Sequence, residues 1–402
     1  MSPQLAEFLK DGPGRDRGMH TESEFKEIGH SGGQVIFHVT TSPDGGRSYQ
    51  VTYRGDRPVP TVIFAIYALL QGIPVGSIQL GGIGQPWNDP PFPDCVPVFY
   101  GSDSHGKFGH HCPQCRGYWR SNGSPSVCPY CAAWGERHDF LSDAQRVYAQ
   151  QYCKVLSDAL RSGEDGEHVI DMDAVADAAG KNIEKPPFYY AEESQQNKFT
   201  CGACGEFNDI LGRFGYCSAC GTRNDLREFE DKTVVDIRRR INAGGPYEAC
   251  VRDAVSAFDS LVGSYARQFA QRIPMRSGRK ARIEKMRFHN LETTASEIKA
   301  AFDIDLCEGM KADEVSFAKR MFYRRHVYEH RGGEADEKYI AESGDKTVRP
   351  KQTLHETQES AHQLADIVVK MARNLHDGFH EIFPPEAESI RRFEERKKRA
   401  RR

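Results

Sequence analysis

No apolar run in this sequence is long enough to cross a bilayer as a helix. The longest, Val62-Ile63-Phe64-Ala65-Ile66-Tyr67-Ala68-Leu69-Leu70, falls far short of the roughly 20 residues a spanning helix needs. It reads instead as a buried core helix over Pro60 to Gln71. The first residues also lack the basic and apolar zones of a secretory signal, so the expectation is a cytoplasmic protein with no membrane partner. A surplus of one charge is missing as well. Lys plus Arg number 54 against 57 Asp plus Glu, so no global field advertises a nucleic acid and any affinity for one must come from local patches. Nor is there a phosphate-binding glycine loop. The nearest approach, Gly81-Gly82-Ile83-Gly84, lacks a Lys-Ser or Lys-Thr ending and reads as a turn.

Cysteine, by contrast, is plentiful and ordered. Cys112-x2-Cys115 is followed after twelve residues by Cys128-x2-Cys131, and Cys201-x2-Cys204 by Cys217-x2-Cys220 with the same gaps. Two tight turns that each aim two sulfurs at one point close a tetrahedral site, and four thiolates suit zinc; iron in a rubredoxin-like site is the alternative. Disulfides are disfavoured in a chain expected inside the cell, and Cys95, Cys153, Cys250 and Cys307 form no cluster. Four thiolates leave no open position for substrate, so both zinc ions are expected to be structural, and His110 and His111 beside Cys112 to be bystanders. The first ribbon displays Arg116, Tyr118, Trp119 and Arg120, the second Arg213, Phe214 and Tyr216. These alternating cations and aromatics either grip phosphates and stack bases or pack the small ribbon cores or a protein partner.

Organisation follows from pattern breaks. Gln34 to Thr41 alternate toward a Ser-Pro-Asp-Gly-Gly turn and Ser48 to Tyr53 return, a hairpin signal. Residues from about 142 to 162 look helical, with Ala144, Val147, Tyr148, Tyr152, Val155 and Leu156 on one face. Lys185-Pro186-Pro187 then breaks the pattern. His30, His38 and His105 show no ligand or catalytic spacing. From about 245 to 383 the chain reads as four helices. Their stripes are Val251-Val255-Phe258-Val262-Tyr265-Phe269, then Leu291-Ala295-Ile298-Phe302, then Val315-Ala318-Phe322, and last Thr357-Ala361-Leu364-Val368-Met371-Leu375. Joined by modest loops, they make a bundle.

The third helix carries the strongest chemical signal. Continuing its stripe lands on Arg325 and Glu329, charged residues where apolar ones are expected, which is costly unless they are paired or functional. Gly332 and Gly333 follow directly, leaving His330 in the last turn, where the helix dipole favours a charged imidazole. By itself an Arg and a His at this spacing is an ordinary surface helix end. Within a four-helix context, Arg325-His326-x3-His330 followed by Gly332-Gly333 and Asp336 resembles the HEPN superfamily over about the C-terminal third.

The resemblance implies a metal-independent endoribonuclease whose active site forms across a homodimer or higher oligomer, each protomer giving one Arg and one His. Arg325 would hold the phosphate, His330 would exchange protons, and His326 would orient the phosphate or take the second proton. RNA would be the substrate. Recognition domains ahead of such a nuclease resemble gated bacterial toxins and antiphage effectors, with a protein or phage-derived trigger. The competing expectation is a non-catalytic nucleic-acid-binding or assembly protein. The fold expected is multidomain α+β: a β-rich region with one core helix at 1–105, ribbons at 106–136 and 198–228, a mostly helical connector at 137–197, a HEPN-like bundle at 229–385 and a basic tail at 386–402. That tail holds eight Lys or Arg from Arg391 onward against Glu394 and Glu395. It reads as solvated and frayed, or as an RNA-holding element. Arg276, Arg279, Lys280 and Arg282 make a second basic knot, read as a solvated loop.

Overall fold

The computed structural model describes residues 28, 33–55, 62–79, 87–103, 105–123, 125–182 and 196–401. His30, the glycine run at 81–84 and the Lys185-Pro186-Pro187 break lie outside the described residues. The chain divides into two compact units, one from Met1–His111 with Arg137–Lys185, the other from Cys112–Glu136 with Pro186–Arg402. Residues 137–182 therefore belong to the first unit and are not a free connector.

In the first unit the expected hairpin forms. β1 (Gly33–Thr41) pairs antiparallel with β2 (Arg47–Gly55), closed by a turn in which Gly45 takes φ +84. The run expected to be a core helix is a strand instead: β3 (Ile63–Leu69) lies between β4 (Pro74–Ile78) and β5 (Cys95–Gly101), antiparallel to both. Both of its faces are buried. Phe64, Ile66 and Ala68 join the main core of the unit, while Ala65 and Tyr67 pack with Ile78 on the other side. A strand covered on both faces has no polar alternation to show.

Helix α1 (Asp143–Ser162) brings the two sheets together. It starts at a capping box between Ser142 and Gln145 and stops at Gly163 in the left-handed region. Its stripe of Tyr148, Ala149, Tyr152, Leu156 and Ala159 shares one core with Val35, Phe37 and Val39 of β1 and Val98 and Tyr100 of β5. Tyr152 meets Phe37 edge-on at 4.7 Å, Tyr148 meets Tyr100 at 5.1 Å, and Tyr100 stacks on Phe64 at 4.7 Å. A last strand, β6 (Gly166–Asp171), adds to the free side of β1 and leads into α2 (Met172–Asn182).

The second unit holds both cysteine ribbons and the helices. After the second ribbon come α3 (Asp225–Arg227), a π-helical stretch (Glu228–Val234) and α4 (Val235–Asn242). Four longer helices follow the expected stripes: α5 (Tyr247–Arg272), α7 (Leu291–Phe302), α8 (Ala312–His330) and α10 (Gln358–Ile382). The basic knot is itself helical, as α6 (Ser277–Glu284). Helices α5 and α10 run parallel, since Glu248 at the start of one accepts from the Glu356 amide just before the other, and Phe269 meets Phe379 near their ends. Helix α8 runs against α10: its early Glu314 pairs with Lys370, its late Arg324 with Glu356. Phe258, Phe322, Val368, Met371 and Leu375 lie in their common core. A short α9 (Glu337–Ser343) sits between α8 and α10, and a final α11 (Ala387–Ala400) replaces the expected frayed tail. Among the described residues no helix is long and apolar enough to cross a membrane.

Candidate functional site

The cysteines come together as the spacing requires. Each set of four places its sulfurs within 4.8 Å of one another. Cys112 and Cys131 lie 3.7 Å apart and Cys115 and Cys128 3.6 Å; in the second ribbon Cys201 and Cys220 are 3.7 Å apart and Cys204 and Cys217 3.4 Å. Metal–sulfur bonds of about 2.3 Å in a tetrahedron give sulfur separations of about 3.8 Å, so both clusters fit one metal ion each. Backbone amides of Gly117 and Tyr130 point at Cys115 and Cys128 Sγ, and the Asn208 side-chain Nδ2 at Cys217 Sγ, donors that favour thiolate. His110 is buried outside the cluster, where loss of hydration pushes its pKa down to about 3, and His111 sits against Asp143.

The ribbons also pack on each other about an internal two-fold. Val127 and Tyr216, each just before the third cysteine of its set, donate to the carbonyls of Ser218 and Pro129, the residues just after that cysteine in the opposite set. The strand Tyr118–Ser121 of the first ribbon pairs with Phe207–Leu211 of the second, and Gln196–Thr200 pairs with the far side of the latter. Arg120 faces its own counterpart, Asp209, at 3.6 Å. This arrangement decides between the two readings of the ribbon aromatics. Tyr118, Trp119 and Tyr216 are buried and not open to stacked bases; Tyr216 joins the helical core and donates to Gln268 of α5, while Arg213 bonds Thr233 and covers Phe214.

A buried polar cluster that the sequence did not reveal fastens the second ribbon to the helices. Arg223 donates to both carboxylate oxygens of Asp225 at 2.7 and 2.8 Å, and Ser264 of α5 donates to the same group. The guanidinium lies 4.7 Å from the Tyr216 ring centre and 5.8 Å from that of Tyr265. His380 Nε2 accepts from the Arg223 amide while its Nδ1 faces the Phe383 carbonyl, which defines a neutral ring with the proton on Nδ1. Burial pushes His376 and His380 down to about 4.

At the end of α8 the three residues singled out for chemistry share one helix end. The His326 and His330 rings lie 4.7 Å apart, and His330 is 55% exposed. Burial lowers the His326 pKa, and His330, Arg331, Arg325 and Lys338 push the same way, so its neutral form is favoured and its surroundings are cationic. Arg325 is 13% exposed and pairs with Glu329 at 2.8 Å; the same carboxylate oxygen lies 3.7 Å from His330 Nε2. The Arg325 Nε is buried with no acceptor among the described residues. Arg325 thus lies near the buried stripe, as expected, whereas Glu329 is exposed and Val327 continues the apolar face.

The neighbouring arginine is the structural one. Arg324 donates to Asp345 at 2.8 Å, Glu356 at 3.0 Å and the Tyr339 hydroxyl at 3.1 Å, and Tyr328 donates to Glu356 at 2.5 Å. Against the cost of its burial, hydrogen bonds from Thr347, Arg324 and Tyr339 hold Asp345 well below the usual carboxylate range. The network, with Val327, Ala335, Tyr339 and Leu354 packed beneath it, pins the α8–α10 connection and fixes the turn after His330. Comparison of the chain with protein-family models, curated proteins and solved structures gave no match.

Proposed function

We propose that this protein is a metal-independent endoribonuclease of the HEPN type, working as a dimer and carrying two structural zinc ions. The observation that carries the reading is the α8 end: two imidazoles 4.7 Å apart beside a guanidinium whose buried Nε has no acceptor among the described residues. Cleaving RNA through its own 2′-hydroxyl needs a base, an acid and positive charge on the phosphorane, and no metal. His326, favoured in its neutral form, takes the 2′-hydroxyl proton. The 2′-oxygen attacks phosphorus, the bond to the 5′-oxygen breaks, and His330 in its charged form protonates the leaving oxygen. The products are a 2′,3′-cyclic phosphate and a free 5′-hydroxyl. Arg325, planar and always charged, holds the phosphate once the phosphate displaces Glu329. A second copy supplies the same groups from the other side of the scissile bond. Such an enzyme threatens its own cell, so we place it among gated toxins or antiphage effectors in the cytoplasm, released by a protein or phage-derived trigger.

A second reading, a zinc-bearing RNA-binding or assembly protein, draws support from the same place, because Arg325 is already paired with Glu329 of its own chain. One experiment separates the two. Purified protein that retains its metal is incubated with RNA in EDTA. Cleavage to cyclic-phosphate ends, reduced by about two orders of magnitude or more in Arg325→Ala and His330→Ala with unchanged circular dichroism, is expected. Growth arrest on expression, lost in the same variants, is the parallel readout for a dormant enzyme. Strict magnesium dependence, 5′-phosphate products or full activity in both variants sinks the nuclease.

A further inference from the structure

The C-terminal helix is not a loose tail but a mounted one. The Glu386 amide donates to the Cys220 carbonyl at 2.8 Å, and the Glu386 carboxylate caps α11 by accepting from the amides of Glu388 and Ser389 at 2.7 Å each. Two residues one and two turns on complete the seat. Ile390 packs against the four cysteines of the second ribbon, and the Phe393 ring lies against Gly205, close enough that any Cβ there would overlap it. The apolar edge of α11 is thereby spent on the ribbon knuckle, and its remaining surface is charged. Arg391 and Arg392 are held by Glu388, and Arg396 and Lys397 lie over the Phe393 ring. From Arg396 onward all basic residues described are exposed, and none forms an ion pair among the described residues.

We infer that α11, held rigid on the second ribbon, is a rail for the phosphate backbone of an RNA strand. In a chain of formal net charge −3, four cations, Arg396, Lys397, Lys398 and Arg399, project from one short helix, and Arg401 follows at its C-terminal cap. A disordered basic tail would lose entropy on meeting RNA, whereas a mounted helix presents its charges already ordered. The only aromatic on it is committed to the ribbon, so recognition is by phosphate charge and indifferent to base sequence. The choice of RNA rests on the nuclease reading above, and the rail gives that enzyme a substrate grip separate from Arg325 and His330.

The test is binding by the full-length, metal-loaded protein of a labelled 2′-O-methyl RNA, which cannot be cleaved through its 2′-oxygen. The variant Arg396→Gln, Lys398→Gln, Arg399→Gln, Arg401→Gln keeps helix-forming side chains and removes four charges. Single-strand binding loses about 0.7 of salt slope per phosphate contact, so the slope is expected to become shallower by up to about 3, with affinity down at least about tenfold near 50 mM salt. Phe393→Ala keeps every charge but frees the helix, and is expected to weaken binding less, with a slope close to that of the original chain. Single-stranded DNA of the same length should bind comparably, because the ligand chemistry is phosphate. Unchanged affinity and slope in the fourfold variant, with its circular dichroism intact, overturns the rail; so does tighter capture by phosphatidylserine vesicles than by RNA. If cleavage persists in His330→Ala while the fourfold variant loses binding, the nuclease falls and the rail stands. The reverse pattern removes the rail alone.

Discussion

The first ribbon carries Arg116, Gly117, Tyr130, Ala132 and Trp134 where the second carries Gly205, Glu206, Ala219, Gly221 and Arg223. Some of these differences compensate one another. Tyr130 lies so close to Gly117 that a Cβ would overlap the ring, and its hydroxyl bonds the Tyr118 carbonyl and the Leu211 amide. The second ribbon has the small residue at the ring position, and Glu206 reaches instead to the Asn122 amide of the first. Other differences change what each ribbon touches. Trp134 is half exposed, while its counterpart Arg223 is buried between two tyrosines and bound to Asp225. Cys115 is exposed, whereas all four cysteines of the second set are buried. Closely similar sulfur clusters therefore support two tasks: one ribbon keeps Cys115 and Trp134 at an open surface, and the other clamps α11 on one side and α5 and α10 on the other.

Removing a ligand from each ribbon breaks this comparison most forcefully. Each variant, Cys115→Ser or Cys217→Ser, is expected to lose one of two bound ions, measured by elemental analysis. The structural consequences should differ. Binding of a structural ion is folding free energy, on the order of 10 kcal/mol in isolated zinc modules. Loss of the second site unseats Arg223 and α11 as well, so Cys217→Ser should greatly lower the helical melting temperature followed by circular dichroism. Cys115→Ser should leave that helical transition nearly in place. Equal melts in the two variants would mean that the ribbons are equivalent props.

A smaller effect sharpens the same contrast. Arg223→Met leaves Asp225 charged and buried without its partner, at a cost of about 3–5 kcal/mol. Trp134→Ala at the corresponding position removes a half-exposed ring and is expected to cost about 1 kcal/mol or less. Denaturant titration of the two variants reads the difference directly. A Trp134 loss as large as that of Arg223 would show that this corner of the first ribbon is anchored as firmly as its counterpart, beyond the burial of Val127 and Ala132 in the helical core.

Legibility in the sequence followed how local the physics is. The cysteine clusters were plain, since two short loops bring each set of thiols together and spacing alone encodes that. The long helices were plain too, because each buries one stripe. Strand β3 was misread because burial on both faces erased its alternation; the shortness of the run and Gly72 at φ +81 just after it were the available signals. At the α8 end, Arg325, His326 and His330 are neighbours by helical spacing, and the same spacing sets Glu329 one turn from Arg325, where the two pair. The larger omission was Arg324, whose partners Tyr339, Asp345 and Glu356 lie beyond the helix and are brought in only by the folded connection. Helix α11 looked frayed for the same reason: its two large apolar residues, Ile390 and Phe393, are too few to make a stripe, and the glycine that receives Phe393 belongs to a distant ribbon.

That glycine offers the finest discrimination. Gly205 and Gly221 sit at φ +75 and +77, so alanine at either position pays the same left-handed penalty, about 1–2 kcal/mol. The first ribbon tolerates that penalty at both corresponding positions, with Arg116 at +58 and Ala132 at +59. Space separates the two glycines. A Cβ on Gly221 meets Val127 at 3.5 Å, an ordinary contact, whereas a Cβ on Gly205 overlaps the Phe393 ring. Gly205→Ala should therefore cost more than Gly221→Ala, by an amount that reports the seating of α11, and the excess should vanish when both are made in a Phe393→Ala background. An excess that survives Phe393→Ala would mean that Gly205 is required by the knuckle itself, and that the helix rests on Ile390 and Glu386 alone.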